Sequence, residues 1–115
     1  IAPGTSISTQ FSLDCSECDT SLKYIVKPSQ IKCDEKEDSR FIVASINNEK
    51  NTMEYDEKEK YYFGIIDARD AYKIINIKAT VKWNNNDENN VADTESGVEN
   101  SIIILPLTVR VEQMN

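Results

Sequence analysis

The sequence predicts an all-β fold, an immunoglobulin-like β-sandwich of about seven antiparallel strands. Three observations carry that expectation. Apolar and polar residues alternate with period two over long stretches. Turn signals recur about every 8–12 residues. No segment carries an amphipathic helical stripe: Glu54 to Lys60 holds helix formers, but its charges surround it.

The strands follow in order. Ile7, Phe11, Leu13 and Cys15 mark a first strand ending at a cysteine pair. Leu22, Tyr24 and Val26 give a second, stopped by Pro28. Phe41 to Ile46 forms a third, and Thr52 to Tyr55 a short, weak one. Tyr61 to Ile66 precedes the clearest strand of all, in which Ile75, Ile77, Ala79, Val81 and Trp83 alternate with Asn76, Lys78, Thr80 and Lys82. That pattern describes a strand with one buried face and one wet face. Between Ser101 and Gln113 the residues Ile103, Leu105, Leu107, Val109 and Val111 form another apolar face. Pro106 interrupts it without an N–H, which suits an edge strand or a bulge. The core expected from these faces comprises Phe11, Leu13, Phe41, Ile75, Ile77, Val81, Trp83, Leu105, Leu107 and Val109.

Two segments are polar breaks. Asp34-Glu35-Lys36-Glu37-Asp38 reads as a solvated turn between strands. Residues Asn84 to Asn100 hold one alanine and two valines among Asn, Asp, Glu, Ser and Gly, too little apolar surface to offset ordering entropy. They read as a long acidic, asparagine-rich hairpin loop. The 115 residues suffice for a single domain spanning 1–115. Ile1 is not a natural start, so the domain is expected to be cut from a larger chain.

Composition narrows the chemistry. The chain has no histidine, which removes Ser-His-Asp and Cys-His catalysis and imidazole metal sites. Thirteen basic and 20 acidic residues give a net charge of −7, which repels nucleic-acid phosphates and anionic lipid heads. No apolar run approaches the roughly 20 residues that cross a bilayer. The carboxylates are scattered over turns. Asp87, Asp93, Glu95 and Glu99 lack the spacing and central glycine of an EF-hand loop. No catalytic residue, metal ligand or cofactor site is expected, and the chain is read as a non-enzyme.

Three cysteines remain. Cys15-Ser16-Glu17-Cys18 has redox spacing, yet Asp14, Glu17 and Asp19 raise a thiol pKa rather than lower it, and no βαβ pattern surrounds the motif. A structural disulfide is the simpler expectation. Cys15 shares a face with Phe11 and Leu13, and Cys33 shares one with Ile31, so Cys15–Cys33 is preferred narrowly over Cys18–Cys33. A bridge closing so short a loop contributes about 3 kcal/mol on the chain-entropy account. Tyr61, Tyr62 and Phe63 put aromatics on both faces of one strand, the best sign of an interface. Eleven asparagines and no Asn-x-Ser/Thr acceptor suit an intracellular protein or a lineage with little N-glycosylation.

One stretch is more specific. Gln10-Phe11-Ser12-Leu13-Asp14-Cys15, then Tyr24-Ile25-Val26-Lys27-Pro28, then Ser39-Arg40-Phe41-Ile42-Val43 give a strand ending in Cys, a strand ending in Lys-Pro and a strand led by Phe. This order resembles the third, immunoglobulin-like ectodomain of the hapless/generative-cell-specific gamete fusogens, and the Asn, Lys and Ile bias suits a malaria-parasite member. The resemblance covers about the first 45 residues. It departs at Ala79 and Val81, where some members place a second cysteine. It implies a non-catalytic module of a class II membrane fusion protein on the extracellular face of the cell membrane. Such a module packs against a trimeric core during fold-back in gamete fusion. Its partners are then other domains of its own chain and a homotrimer. It contacts no nucleic acid and inserts nothing into the membrane itself. The same strand order is also similar to major-sperm-protein-like modules and to lumenal domains of translocon-associated proteins. That alternative is a cytosolic or lumenal protein-binding or scaffolding domain with no fusion role.

Overall fold

The computed structural model describes residues 4–50, 53–70, 73–83 and 102–114. The expected acidic loop at 84–100, with its five carboxylates, lies outside the described residues. Ten strands and no helix appear among those described: β1 (Ser6–Asp14), β2 (Leu22–Pro28), β3 (Lys32–Cys33), β4 (Lys36–Glu37), β5 (Phe41–Asn48), β6 (Glu54–Asp56), β7 (Tyr61–Ile66), β8 (Ile74–Trp83), β9 (Ile103–Ile104) and β10 (Leu107–Gln113). They form three sheets, ordered β1-β8-β5, β10-β2-β7-β6 and β4-β3-β9, and every pairing is antiparallel. The chain is all-β.

The long strands follow from alternation. β8 is central in its sheet, and its register sets Ile7 against Val81, Phe11 against Ile77 and Leu13 against Ile75 on one face. The other face is polar, with the Ser8 and Thr80 hydroxyls bonded at 2.9 Å and Ser12 Oγ donating to Asn76 Oδ1 at 2.6 Å. β5 runs along the opposite edge of β8 and keeps its apolar face only by a bulge between Val43 and Ser45. The extra residue lets Phe41, Val43 and Ile46 point the same way although their spacing breaks period two.

In the four-stranded sheet, β2 supplies the buried residues Leu22, Tyr24, Ile25 and Val26. Leu22, Tyr24 and Val26 meet Ile46, Met53, Ile66, Ile75, Ile77 and Ala79 in one cluster, with Phe11, Leu13, Leu105 and Leu107 partly buried against it. Apolar faces of two antiparallel sheets thus share a core, which is consistent with a β-sandwich. A second cluster gathers Ile31, Phe41, Val81 and Trp83, flanked by Cys33, Ile103 and Leu105.

Three expectations need correction. Asp34 to Asp38 is more than a turn: Cys33 pairs with Lys36 and Lys32 with Glu37, closing a two-residue hairpin at Asp34-Glu35. Both of those residues have positive φ, 51° and 71°, the conformation a twist-compatible tight hairpin demands. The last apolar run is two strands. Pro106 separates β9, which pairs with β3, from β10, which pairs with β2. Finally, Val109 is 40% exposed. β10 is an edge strand of its sheet, and only Leu107 at its start packs against the core.

Candidate functional site

The cysteines do not bridge. Cys15, Cys18 and Cys33 are all free thiols, which corrects both expected pairings. The reason is placement. Cys15 is buried in the main cluster and Cys18 packs beside it, whereas Cys33 sits in β3 against the second cluster. Facing the interior is therefore not sharing a site.

Cys15 and Cys18 span a tight turn in which Cys18 N–H donates to Cys15 O at 3.1 Å. Cys15 N–H donates to Lys73 O at 2.9 Å, and Lys73 Nζ donates to Cys18 O, so the turn is tied to the start of β8. Burial pushes the Cys15 thiol pKa up, and Cys18 and Asp14 push it further. A thiol held neutral is a poor nucleophile. Nearby, Asp14 Oδ1 accepts from the Ser16 backbone N–H and hydroxyl, and these bonds lower its own pKa.

Trp83 is 1% exposed and caps the second cluster, its ring 5.3 Å from that of Phe41. The Arg40 guanidinium lies over both rings, at 5.4 Å from Trp83 and 6.0 Å from Phe41. Arg40 forms an ion pair with Asp38 at 2.6 Å, and those hydrogen bonds hold the Asp38 carboxyl below its ordinary pKa. This arrangement anchors the entry to β5. Among the described residues no group of His, Cys, Asp and Glu is placed to hold a metal.

The aromatic strand supplies the most distinctive surface. β7 splits its aromatics by alternation. Tyr62 faces inward opposite Val26, while Phe63 lies opposite buried Ile25 on the outer face. The inward Tyr62 ring packs against that of Tyr55 on β6, 4.7 Å between centroids and tilted by 57°, and burial raises its phenol pKa. On the outer face, Tyr61 and Phe63 meet edge to face at 6.0 Å. Lys23 from β2 reaches across them, with Nζ at 4.6 Å from the Phe63 centroid and 5.3 Å from that of Tyr61, and donates to Tyr61 Oη at 3.2 Å. Ile65 extends the row and is 58% exposed. The result is a cation held on two half-buried rings beside an exposed isoleucine.

Sequence reading singled out the aromatic triplet but missed Lys23 and Ile65. The signal for Lys23 was its place in β2, one residue before Tyr24, which turns it to the outer face. Its partner on β7 requires the strand pairing, which is not local. No family model, curated protein or solved structure matches the chain.

Proposed function

We propose that this chain is a non-catalytic, immunoglobulin-like protein-binding module whose contact surface is the outer face of β2 and β7. The observation that carries the reading is the row Tyr61, Phe63 and Ile65 with Lys23 clamped over the rings. Aromatic residues are what contact surfaces concentrate, because they bury much area at little entropic cost, and Lys23 holds the two rings in place. The three free thiols favour a binding or scaffolding role over a disulfide-held ectodomain. A photo-crosslinking residue at position 65 should trap a partner protein in cells of origin. The combined Phe63→Ser and Lys23→Glu variant should abolish the adduct while leaving the fold intact by circular dichroism. An adduct unchanged in that variant sinks the reading.

A narrower setting is the fold-back module of a gamete fusogen. What supports it is order: the three stretches that resemble that family fall on β1 with the Cys15 turn, on β2 ending at Pro28, and on β5 opened by Phe41 with the Arg40–Asp38 anchor before it. Disrupting the encoding gene should then block gamete fusion after cell attachment. Normal fertility would end this setting without touching the protein-binding reading.

A further inference from the structure

The strand β10 forms one border of the four-stranded sheet, and among the described residues its outer edge has no strand partner. Its inner-face residues Val109 and Val111, set opposite Val26 and Tyr24, are 40% and 42% exposed. Its outer-face residues Arg110 and Glu112 carry opposite charges two positions apart and pair with each other at 2.9 Å. An edge strand with half-exposed valines is a template for another strand.

The charge pattern selects the occupant. Antiparallel pairing of β10 with the β10 of a second copy, centred on Val111, sets Val111 on its own symmetry mate. The same register sets Arg110 of each copy opposite Glu112 of the other. Glu112 lies across from Lys23 on β2, whose ammonium is held over the β7 rings, so the Arg110 of the second copy supplies the cation that each Glu112 would face. Neighbouring registers are worse. Centring on Arg110 opposes two arginines, and centring on Glu112 opposes two glutamates. Centring on Val109 brings Pro106, which lacks an N–H, against Glu112 and forfeits both ion pairs. Cross-strand opposite charges stabilise pairing and like charges oppose it.

We infer that β10 is a self-recognition edge through which two copies of this chain join their four-stranded sheets, isologously and in the register centred on Val111. A two-fold axis through one strand pair gives a small interface, at the weak end of specific association. The surface is separate from the Tyr61–Phe63–Ile65 row and does not rest on its role.

Sedimentation equilibrium over a wide concentration range tests this. The wild-type chain should show a monomer–dimer equilibrium. Arg110→Glu and Glu112→Arg should each weaken association about tenfold or more, because each reversal makes both ion pairs repulsive. An equimolar mixture of the two variants should recover the dimer. In that mixed pair the introduced carboxylate of one chain faces the introduced guanidinium of the other, and the retained Glu112 faces the retained Arg110. That recovery cannot come from the pair within one strand, which stays broken in both variants, and a misfolded variant could not produce it. A wild-type chain that stays monomeric, a dimer indifferent to both reversals, or a mixture that fails to recover would each overturn the inference.

Discussion

Gly64 lies directly opposite Tyr24 across β7 and β2, and the phenol of Tyr24 occupies the space a side chain at Gly64 would need. An added Cβ would collide with Tyr24 Oη and with two ring carbons, and Tyr24 is buried, so it has nowhere to go. The pairing also places Oη where Asn48 Nδ2 donates to it at 2.8 Å, linking β2 to the end of β5. Gly64→Ala should therefore destabilise the fold by about 1–3 kcal/mol, the range of core overpacking. Urea denaturation would measure it, and a change below about 0.5 kcal/mol, the size of an ordinary surface substitution, would show that Tyr24 relocates freely.

Much of this fold was legible because its strands alternate cleanly. β7 matches the apolar run Tyr61 to Ile66, and β8 begins within one residue of the expected strand. What escaped was non-local. The Val43–Ser45 bulge, the change of sheet at Pro106 and the exposure of Val109 all depend on which strand lies beside which. Period two states a face but not what covers it. The cysteines make the same point, since two inward-facing thiols belong to different clusters.

The thiol chemistry follows from that separation. Without reductant, all three cysteines should alkylate after unfolding. In the native state Cys18 and Cys33 should react ahead of buried Cys15. The raised pKa of Cys15 gives a signed pH dependence. Its stabilising contribution is complete below the ordinary thiol pKa and is lost as pH rises through the elevated folded value. Mass spectrometry of timed alkylation would read this order. Equal rates for Cys15 and Cys18 would contradict it.

Acid should act through three carboxylates whose folded pKa values are lowered: Asp14, Asp38 and Asp67. Hydrogen bonds from the Arg69 side chain hold Asp67 at about 2. Lowered values mean that the stabilisation is present above the ordinary carboxylate range and is lost as pH falls through the folded values. Carboxyl carbon NMR should put the Asp67 midpoint near 2, and Arg69→Ala should return it toward 3.8. A midpoint unchanged by that substitution would show that Arg69 is not the cause.

Glu35 occupies the left-handed region at φ 71° in the second position of the Asp34-Glu35 hairpin. A side chain there costs roughly 1–2 kcal/mol that glycine avoids, and glycine gives back part of it in unfolded-state entropy. Asp34 should be kept, because its carboxylate accepts from Ile102 N–H at 2.9 Å and its own N–H donates to Ile102 O at 2.9 Å. Glu35→Gly should then raise stability by about 0.5–1 kcal/mol. Destabilisation would mean that the turn differs in solution.

Trp83 is the largest fully buried side chain. It packs with Phe41 under the Arg40–Asp38 pair, and its indole Nε1 has no hydrogen-bond partner among the described residues. Two effects then oppose each other on substitution. Trp83→Ala loses the ring contacts and opens a cavity, at a cost of about 3–5 kcal/mol. Trp83→Phe keeps most of the apolar contact and removes the unpaired donor, whose burial alone costs about 1–3 kcal/mol. The phenylalanine variant should therefore lie much closer to wild type than the alanine variant in thermal or urea unfolding. If the two variants were equally destabilised, Nε1 must have a partner whose loss offsets the retained packing.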